Sequence, residues 1–305
     1  MCMKHRGFII VYLLFLSLVA FPAYGQETPP GERLVEKITD HLYVIGGGYG
    51  NMGVFIGDNG VLVVDTKMAS IADIINKEIS KLSNKPVRFV INTHWHYDHV
   101  DGNENMGKAG AVIIAHENVR KRMTKEQYNE FFDERIPPAG KTALPTITFE
   151  KDMTMHFNDE EVYIYHPQAG HTDGDAVVYF RKANVIHVGD LFFNGTLPVA
   201  DIYSGGSLNF LIEATNKILP MIDDSTIVIP GHGQLANKAA LKEYIDMLTD
   251  IRDQMMQQIR EGKTLEQILA FQPTKKYHNK LQKKGFPPKR FVELVYIDLT
   301  QKKDR

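Results

Sequence analysis

The sequence predicts an α+β fold of two similar halves, with sheets packed face to face and helices on the outside. Three observations lead there. Short β-type segments followed by helical segments occur twice along the chain. A proline- and glycine-containing stretch near residue 140 divides the two runs. The 305 residues are 43% hydrophobic and 24% charged, enough for a sizeable core in one large or two small domains. That composition excludes global disorder. The single cysteine excludes a disulfide scaffold and any cysteine-based structural zinc cluster. A formal net charge of −2 lacks the basic excess of a dedicated nucleic-acid binder.

Residues 1–25 are expected to form a cleaved signal peptide. Lys4 and Arg6 precede an apolar run from Phe8 to Phe21, and Ala23-Tyr24-Gly25 supplies small residues where a signal peptidase reads. The run is short for a membrane span, so stable membrane insertion after cleavage is not expected. Cleavage removes Cys2 and both cations, and takes the formal charge from −2 to −4. The mature chain, 26–305, is then periplasmic or secreted.

In the mature part, residues 26–33 read as a loose lead-in. Leu42–Ile45, Val54–Ile56 and Val61–Val64 are apolar and β-branched, with Asp58-Asn59-Gly60 as a hairpin turn between the last two. Ile71–Leu82 has helical periodicity. Val87–Ile91 reads as a short apolar strand, Arg88 apart, running into Asn92-Thr93-His94, and Val112–Ala115 as a buried one, followed by a helix from about Glu117 to Phe132. Three prolines and a glycine make 133–148 a loop, which places the boundary between the halves near residue 140. Strands follow at Thr146–Phe149, Met153–Phe157, Val162–His166, Ala176–Phe180 and Val185–Val188. Then come a helix at Leu208–Leu219, a strand at Thr226–Ile229 and a long helix at Ala239–Arg260. Shorter helices at Thr264–Leu269 and Pro288–Leu299 form a C-terminal helical extension to one compact domain.

His94-Trp95-His96-Tyr97-Asp98-His99 places four metal-capable side chains in six residues directly after an apolar strand. Buried imidazoles and a carboxylate there need hydrogen-bond partners or a cation. In an extended segment, residues 94, 96 and 98 point one way. A tight turn at Asp98-His99 would swing His99 toward a second ion. Three isolated candidates sit in glycine-flanked turns: His171 in Gly170-His171-Thr172, Asp190 after Val185–Val188, and His232 in Pro230-Gly231-His232-Gly233. The seven residues suffice for two adjacent metals, and nitrogen and carboxylate donors without thiolate suit Zn²⁺, with Fe²⁺ or Mn²⁺ as alternatives.

With His171, Asp190 and His232 following in order, this motif resembles the metallo-β-lactamase superfamily across essentially the whole mature chain. The resemblance implies a four-layer αββα sandwich with a dinuclear site at one edge. It assigns His94, His96 and His171 to a first zinc, Asp98, His99 and His232 to a second, and Asp190 to both. Asp98 is the candidate catalytic residue, a ligand that also orients the nucleophile. Asp190 stands where the cysteine-containing β-lactamases carry Cys and another β-lactamase subclass carries Ser; an Asp at this position is similar to glyoxalase II and the lactonases. Phe193 stands where the cysteine-containing β-lactamases carry a carboxylate-gripping Lys and the acyl-homoserine lactonases a Tyr, whose hydroxyl Phe193 lacks. His96 replaces the Glu of the flavodiiron oxidoreductases, which favours hydrolysis.

The expected function is therefore an exported, zinc-dependent hydrolase. Two zinc ions would share a hydroxide that opens a small cyclic or activated carbonyl substrate: a β-lactam, lactone or thioester. The alternatives are phosphodiesterase chemistry on the same metal pair and a mononuclear iron persulfide dioxygenase. A small-molecule substrate is expected, and no nucleic acid. Asp65, ending Val61–Val64, is a candidate acceptor for a ligand histidine. His116 and His166, both after strands, are candidate donors of the same kind. Trp95 and Tyr97 fit either a pocket lining or packing behind the loop.

Overall fold

The computed structural model describes residues 35–301, except 48, 130–133 and 283–284. The signal peptide expected over residues 1–25 lies outside the described residues. Among these, no helix is long and apolar enough to cross a membrane.

The first half comprises strands β1 (Val35–Lys37), β2 (Leu42–Ile45), β3 (Met52–Gly57) and β4 (Gly60–Val64), then helix α1 (Ala72–Leu82) and β5 (Val87–Ile91). Helices α2 (Tyr97–Val100) and α3 (Asn103–Lys108) follow, then β6 (Val112–His116), α4 (Glu117–Met123), the ribbon β7 (Gln127–Asn129) and β8 (Glu134–Ile136), and β9 (Ile147–Phe149). The second half comprises β10 (Asp152–Phe157), β11 (Glu160–Tyr165), β12 (Val177–Phe180), β13 (Val185–His187), α5 (Leu208–Ile218) and β14 (Ile227–Ile229). It ends with α6 (Lys238–Arg260), α7 (Leu265–Phe271) and α8 (Pro288–Thr300). One sheet runs β1-β2-β3-β4-β5-β6-β9 and the other β10-β11-β12-β13-β14.

Alternation along the strands builds the layers, because successive side chains leave opposite faces. Leu62 and Val64 of β4 join Val178, Phe180 and Ile229 in the core between the sheets. Val61 and Val63 face the other way, onto Ile75 and Ile79 of α1 and Met106 of α3. In the second sheet Ile186 and Val228 turn outward against Leu211 of α5 and Leu248 of α6. The central strands are thus covered on both faces, in a four-layer αββα sandwich. Each fully buried leucine or valine contributes about 2 kcal/mol.

The structure differs from expectation in three places. Helix α4 stops at Met123 rather than reaching Phe132. The Gln127 side chain donates to the Arg122 carbonyl at 3.0 Å and the Ala139 amide takes the Met123 carbonyl at 2.9 Å, so the last turn is satisfied by a chain that doubles back. The 133–148 segment is not all loop, since it contains β8 and the start of β9. Pairing of β9 parallel to β6 moves the boundary between the sheets from residue 140 to about 150.

In the first sheet, β4, β5 and β6 run parallel, and in the second so do β13 and β14. The carboxyl ends of β4, β5, β13 and β14 lead to Asp65, His94, Asp190 and His232 respectively, in keeping with ligand sites of open sheets lying beyond such ends.

Candidate metal centre

The structure brings all seven sequence-predicted residues together. Each of two groups, His94/His96/His171/Asp190 and Asp98/His99/His232, has donor atoms within 4.8 Å of one another. The local chain path differs from the extended alternation expected. His96 is the N-cap of α2, so Asp98 and His99 lie on a helical turn and both face the second group.

In the first group each ring is fixed through the nitrogen that points away from the centre. The Thr93 hydroxyl donates to Asp65 Oδ2 at 2.7 Å, which leaves it to accept from His94 Nδ1 at 3.0 Å. His96 Nε2 donates to Asp201 Oδ2 at 2.9 Å, and His171 Nδ1 donates to the Val199 carbonyl at 2.5 Å. This network assigns the tautomers, leaving lone pairs on His94 Nε2, His96 Nδ1 and His171 Nε2. The last two face each other at 2.9 Å. His94 Nε2 and Asp190 Oδ1 are buried without a hydrogen-bond partner. Converging lone pairs and orphaned buried donor atoms are costly unless a cation sits among them, so these residues fit a divalent metal.

The second group is arranged differently. His99 Nδ1 donates to Asp65 Oδ2 at 2.8 Å, as the strand-end position of Asp65 suggests. His99 Nε2 lies 3.4 Å from His232 Nε2 and 3.5 Å from Asp98 Oδ2. His232 is the exposed member, its side chain 29% accessible against 1% for His94. Its ring stacks on Phe193, with centroids 5.2 Å apart and planes 5° from parallel.

Asp190 spans the two groups. Oδ2 lies 3.4 Å from both His171 Nε2 and His232 Nε2, and Oδ1 lies 3.2 Å from His99 Nε2. The approach demands glycine at 231, where a Cβ would come within 2.0 Å of Asp190 Oδ1.

Burial and charge divide the histidines. Burial drives His171 down to about 4 and holds His94 well below its ordinary value, helped by neighbouring imidazoles. Burial also opposes the charge of His232, but Asp190 and Asp98 override it and push the ring up to about 9. His99 is likewise raised against burial by Asp190, Asp98 and Asp65. Asp98 and Asp190 are pushed up by burial, yet held below the usual carboxylate range by surrounding imidazoles.

Several neighbouring residues take roles the sequence leaves open or hidden. Trp95 packs behind the loop with Val100, Ala115, Val119 and Met123 rather than lining a pocket. His116 and His166 stack on each other at 3.9 Å and bond the carbonyls of Glu150 and Asp175, so neither supports a ligand. Asp201, the partner of His96, is invisible in the sequence because it lies 105 positions away in an irregular segment. Lys67, a residue type rarely enclosed, is fully buried at a φ of 58°. Its Nζ donates to the carbonyls of Ile45 and Gly50, and Gly50 packs so closely on His99 that a Cβ would lie 2.3 Å from the ring.

The fold and the histidine–aspartate cluster define a superfamily hydrolase with a divalent-metal site. Residues 45–247 match the sequence profile of the metallo-β-lactamase superfamily, and the chain belongs to that superfamily. It is 25% identical over 261 residues to a metallo-β-lactamase type 2 of Elizabethkingia meningoseptica, covering 81% of this chain and 96% of the relative. It is 24% identical over 230 residues to the 2,4-dinitroanisole O-demethylase subunit alpha of Nocardioides sp. (strain JS1661), covering 75% of this chain and 63% of that one. Among solved structures, a metallo-β-lactamase from Pontibacter korlensis superposes with a TM-score of 0.61 at 19% identity, over 72% of this chain and 100% of its own. A stereoselective inverting sec-alkylsulfatase from Pseudomonas sp. superposes with a TM-score of 0.66 at 17% identity, over 87% and 50%. At these identities the structural likenesses establish the fold alone.

Proposed function

We propose that this chain is a dinuclear zinc hydrolase acting on a small cyclic or activated carbonyl substrate. His94, His96 and His171 would hold one ion, Asp98, His99 and His232 the other, with Asp190 shared. The observation that carries this reading is Asp190, whose carboxylate reaches histidines of both groups while the lone pairs of His96 and His171 converge at 2.9 Å. Divalent ions held there supply Lewis acidity and a water acidified toward neutrality.

The chain's own residues supply the rest. Asp65 and Asp201 fix the rings of His99 and His96, and so preset the donor geometry. Asp98, 19% accessible and beside His232, is the carboxylate placed to orient a nucleophile from the open side. Phe193, stacked on His232, offers an apolar face where a lysine would grip a carboxylate. That counts against β-lactams, whose carboxylate would lack its partner.

Export completes the proposal. Residues 1–25 direct the chain out of the cytoplasm, and residues 26–305 form one hydrolase domain with its C-terminal helices. N-terminal sequencing of exported protein should begin at Gln26. The test of function is an activity panel on zinc-replete protein with a lactone, a thioester, nitrocefin and bis-p-nitrophenyl phosphate side by side. Fastest turnover of the lactone or thioester supports the reading. Turnover of the phosphodiester alone favours phosphoryl chemistry, and one iron per chain with persulfide oxidation would replace hydrolysis.

A further inference from the structure

We propose that Asp298, delivered by the C-terminal helix α8, is a positioning residue for the His96–His171 half of the metal centre. The proposal rests on the metal-binding reading above. The family match ends at residue 247, before α8 begins, so this residue lies outside the segment that defines the superfamily.

Helix α8 packs through Phe291, Val292 and Val295 into the core shared with Leu208 and Leu211 of α5. Its Asp298 is buried. Ser207 is the N-cap of α5, but its hydroxyl makes no capping bond to its own helix. It donates instead to Asp298 Oδ2 at 3.0 Å, and the Leu208 amide donates to the same oxygen at 2.9 Å. A carboxylate from a distant helix thus caps the start of α5, where negative charge is favoured.

From that cap a short chain of hydrogen bonds leads to the ligands. The Ser207 amide donates to the Gly170 carbonyl at 3.0 Å, next to His171. The Gly206 amide donates to the Asp201 carbonyl at 2.8 Å, and the Asp201 amide donates to the His171 carbonyl at 2.9 Å. Gly206 is pressed so closely on this loop that a Cβ would stand 2.1 Å from the His171 carbonyl oxygen. Asp201 in turn holds His96 Nε2. Movement of the first turn of α5 therefore displaces both the His171 backbone and the carboxylate that orients His96. The second group depends on Asp65 at the end of β4 and on the loop after β14, so Asp298 acts on one half of the centre.

The test is a cobalt(II) titration followed by visible absorption, in two backgrounds. His232→Ala cripples the second group and reports on the three-histidine group, and His171→Ala does the reverse. Asp298→Ala should weaken cobalt binding about tenfold in the His232→Ala background and leave it unchanged in the other, the low end of what partners of metal ligands typically contribute. Asp298→Asn keeps an acceptor oxygen and should restore most of the affinity. Ser207→Ala, which removes one of the two donors, should cause a smaller loss in the same background, and it tests the idea even if Asp298→Ala does not fold. Equal weakening in both backgrounds, or no weakening in the His232→Ala background, would overturn the proposal. Failure of the His232→Ala protein to bind cobalt with Asp298 intact would instead overturn the metal reading.

Discussion

The two ligand groups share one carboxylate yet are built on different terms. The three histidines of the first are almost fully enclosed, and each has its outer nitrogen tied down by a separate anchor: Thr93, Asp201 and the Val199 carbonyl. The second has one ring anchored in this way, His99 by Asp65, while His232 is held by stacking on Phe193 and remains partly open. On the proposed two-metal reading the difference divides the labour: one half is preset by the fold, and the other would meet the substrate.

Substitutions can break that comparison in graded ways. The largest effect is expected from Asp190→Asn, which keeps size but removes the charge that both groups share. Turnover should fall by more than the roughly 100-fold typical of changes to partners of metal ligands, with loss of bound metal, chiefly from the second group. His156→Ala, on the exposed edge of β10, is the control and should change neither quantity. His232→Ala should come next, leaving one ion per chain in the three-histidine group and little turnover. Metal analysis alongside kinetics separates these outcomes.

Smaller losses sharpen the comparison further. Asp201→Asn should cost about 10–100-fold in metal affinity in the three-histidine group, whereas Asp65→Asn, which anchors His99 directly and His94 through Thr93, should weaken both groups, the His99 group more. If Asp201→Asn weakened both ions equally, the three-histidine group would not be independently supported.

The smallest effect lies outside both groups. Burial pushes His116 down to about 4, whereas an unfolded histidine titrates near 6.5. Protonation therefore favours the unfolded chain. The contribution is intact above about pH 6.5 and is lost as pH falls toward 4. His116→Asn keeps an N-cap acceptor for α4 and should make the thermal midpoint of metal-free protein fall less between pH 7 and pH 5. That separates acid loss of the fold from acid loss of metal.

Much of this architecture is legible in the sequence, for identifiable reasons. Strands such as Leu42–Ile45 and Val87–Ile91 are mainly apolar runs closed by turn residues, and the structure forms both with those limits, Arg88 being the exposed exception. The ligands are readable because unpaired imidazoles after buried strands make little sense without a cation. What stays hidden depends on long-range contact. Asp201 and Asp298 look like ordinary acidic residues until the fold carries them to His96 and Ser207. Lysines are seldom enclosed, yet two carbonyls give the Lys67 ammonium a buried home. Helix α4 ends early through bonds from Gln127 and Ala139, which no helical periodicity announces.

The central claim is that each group holds its own divalent ion, with Asp190 between them. Elemental analysis of zinc-saturated, desalted protein tests it most directly. The account predicts about two zinc ions per chain, the count of a two-metal site. A stoichiometry that stays at one under saturation would contradict it.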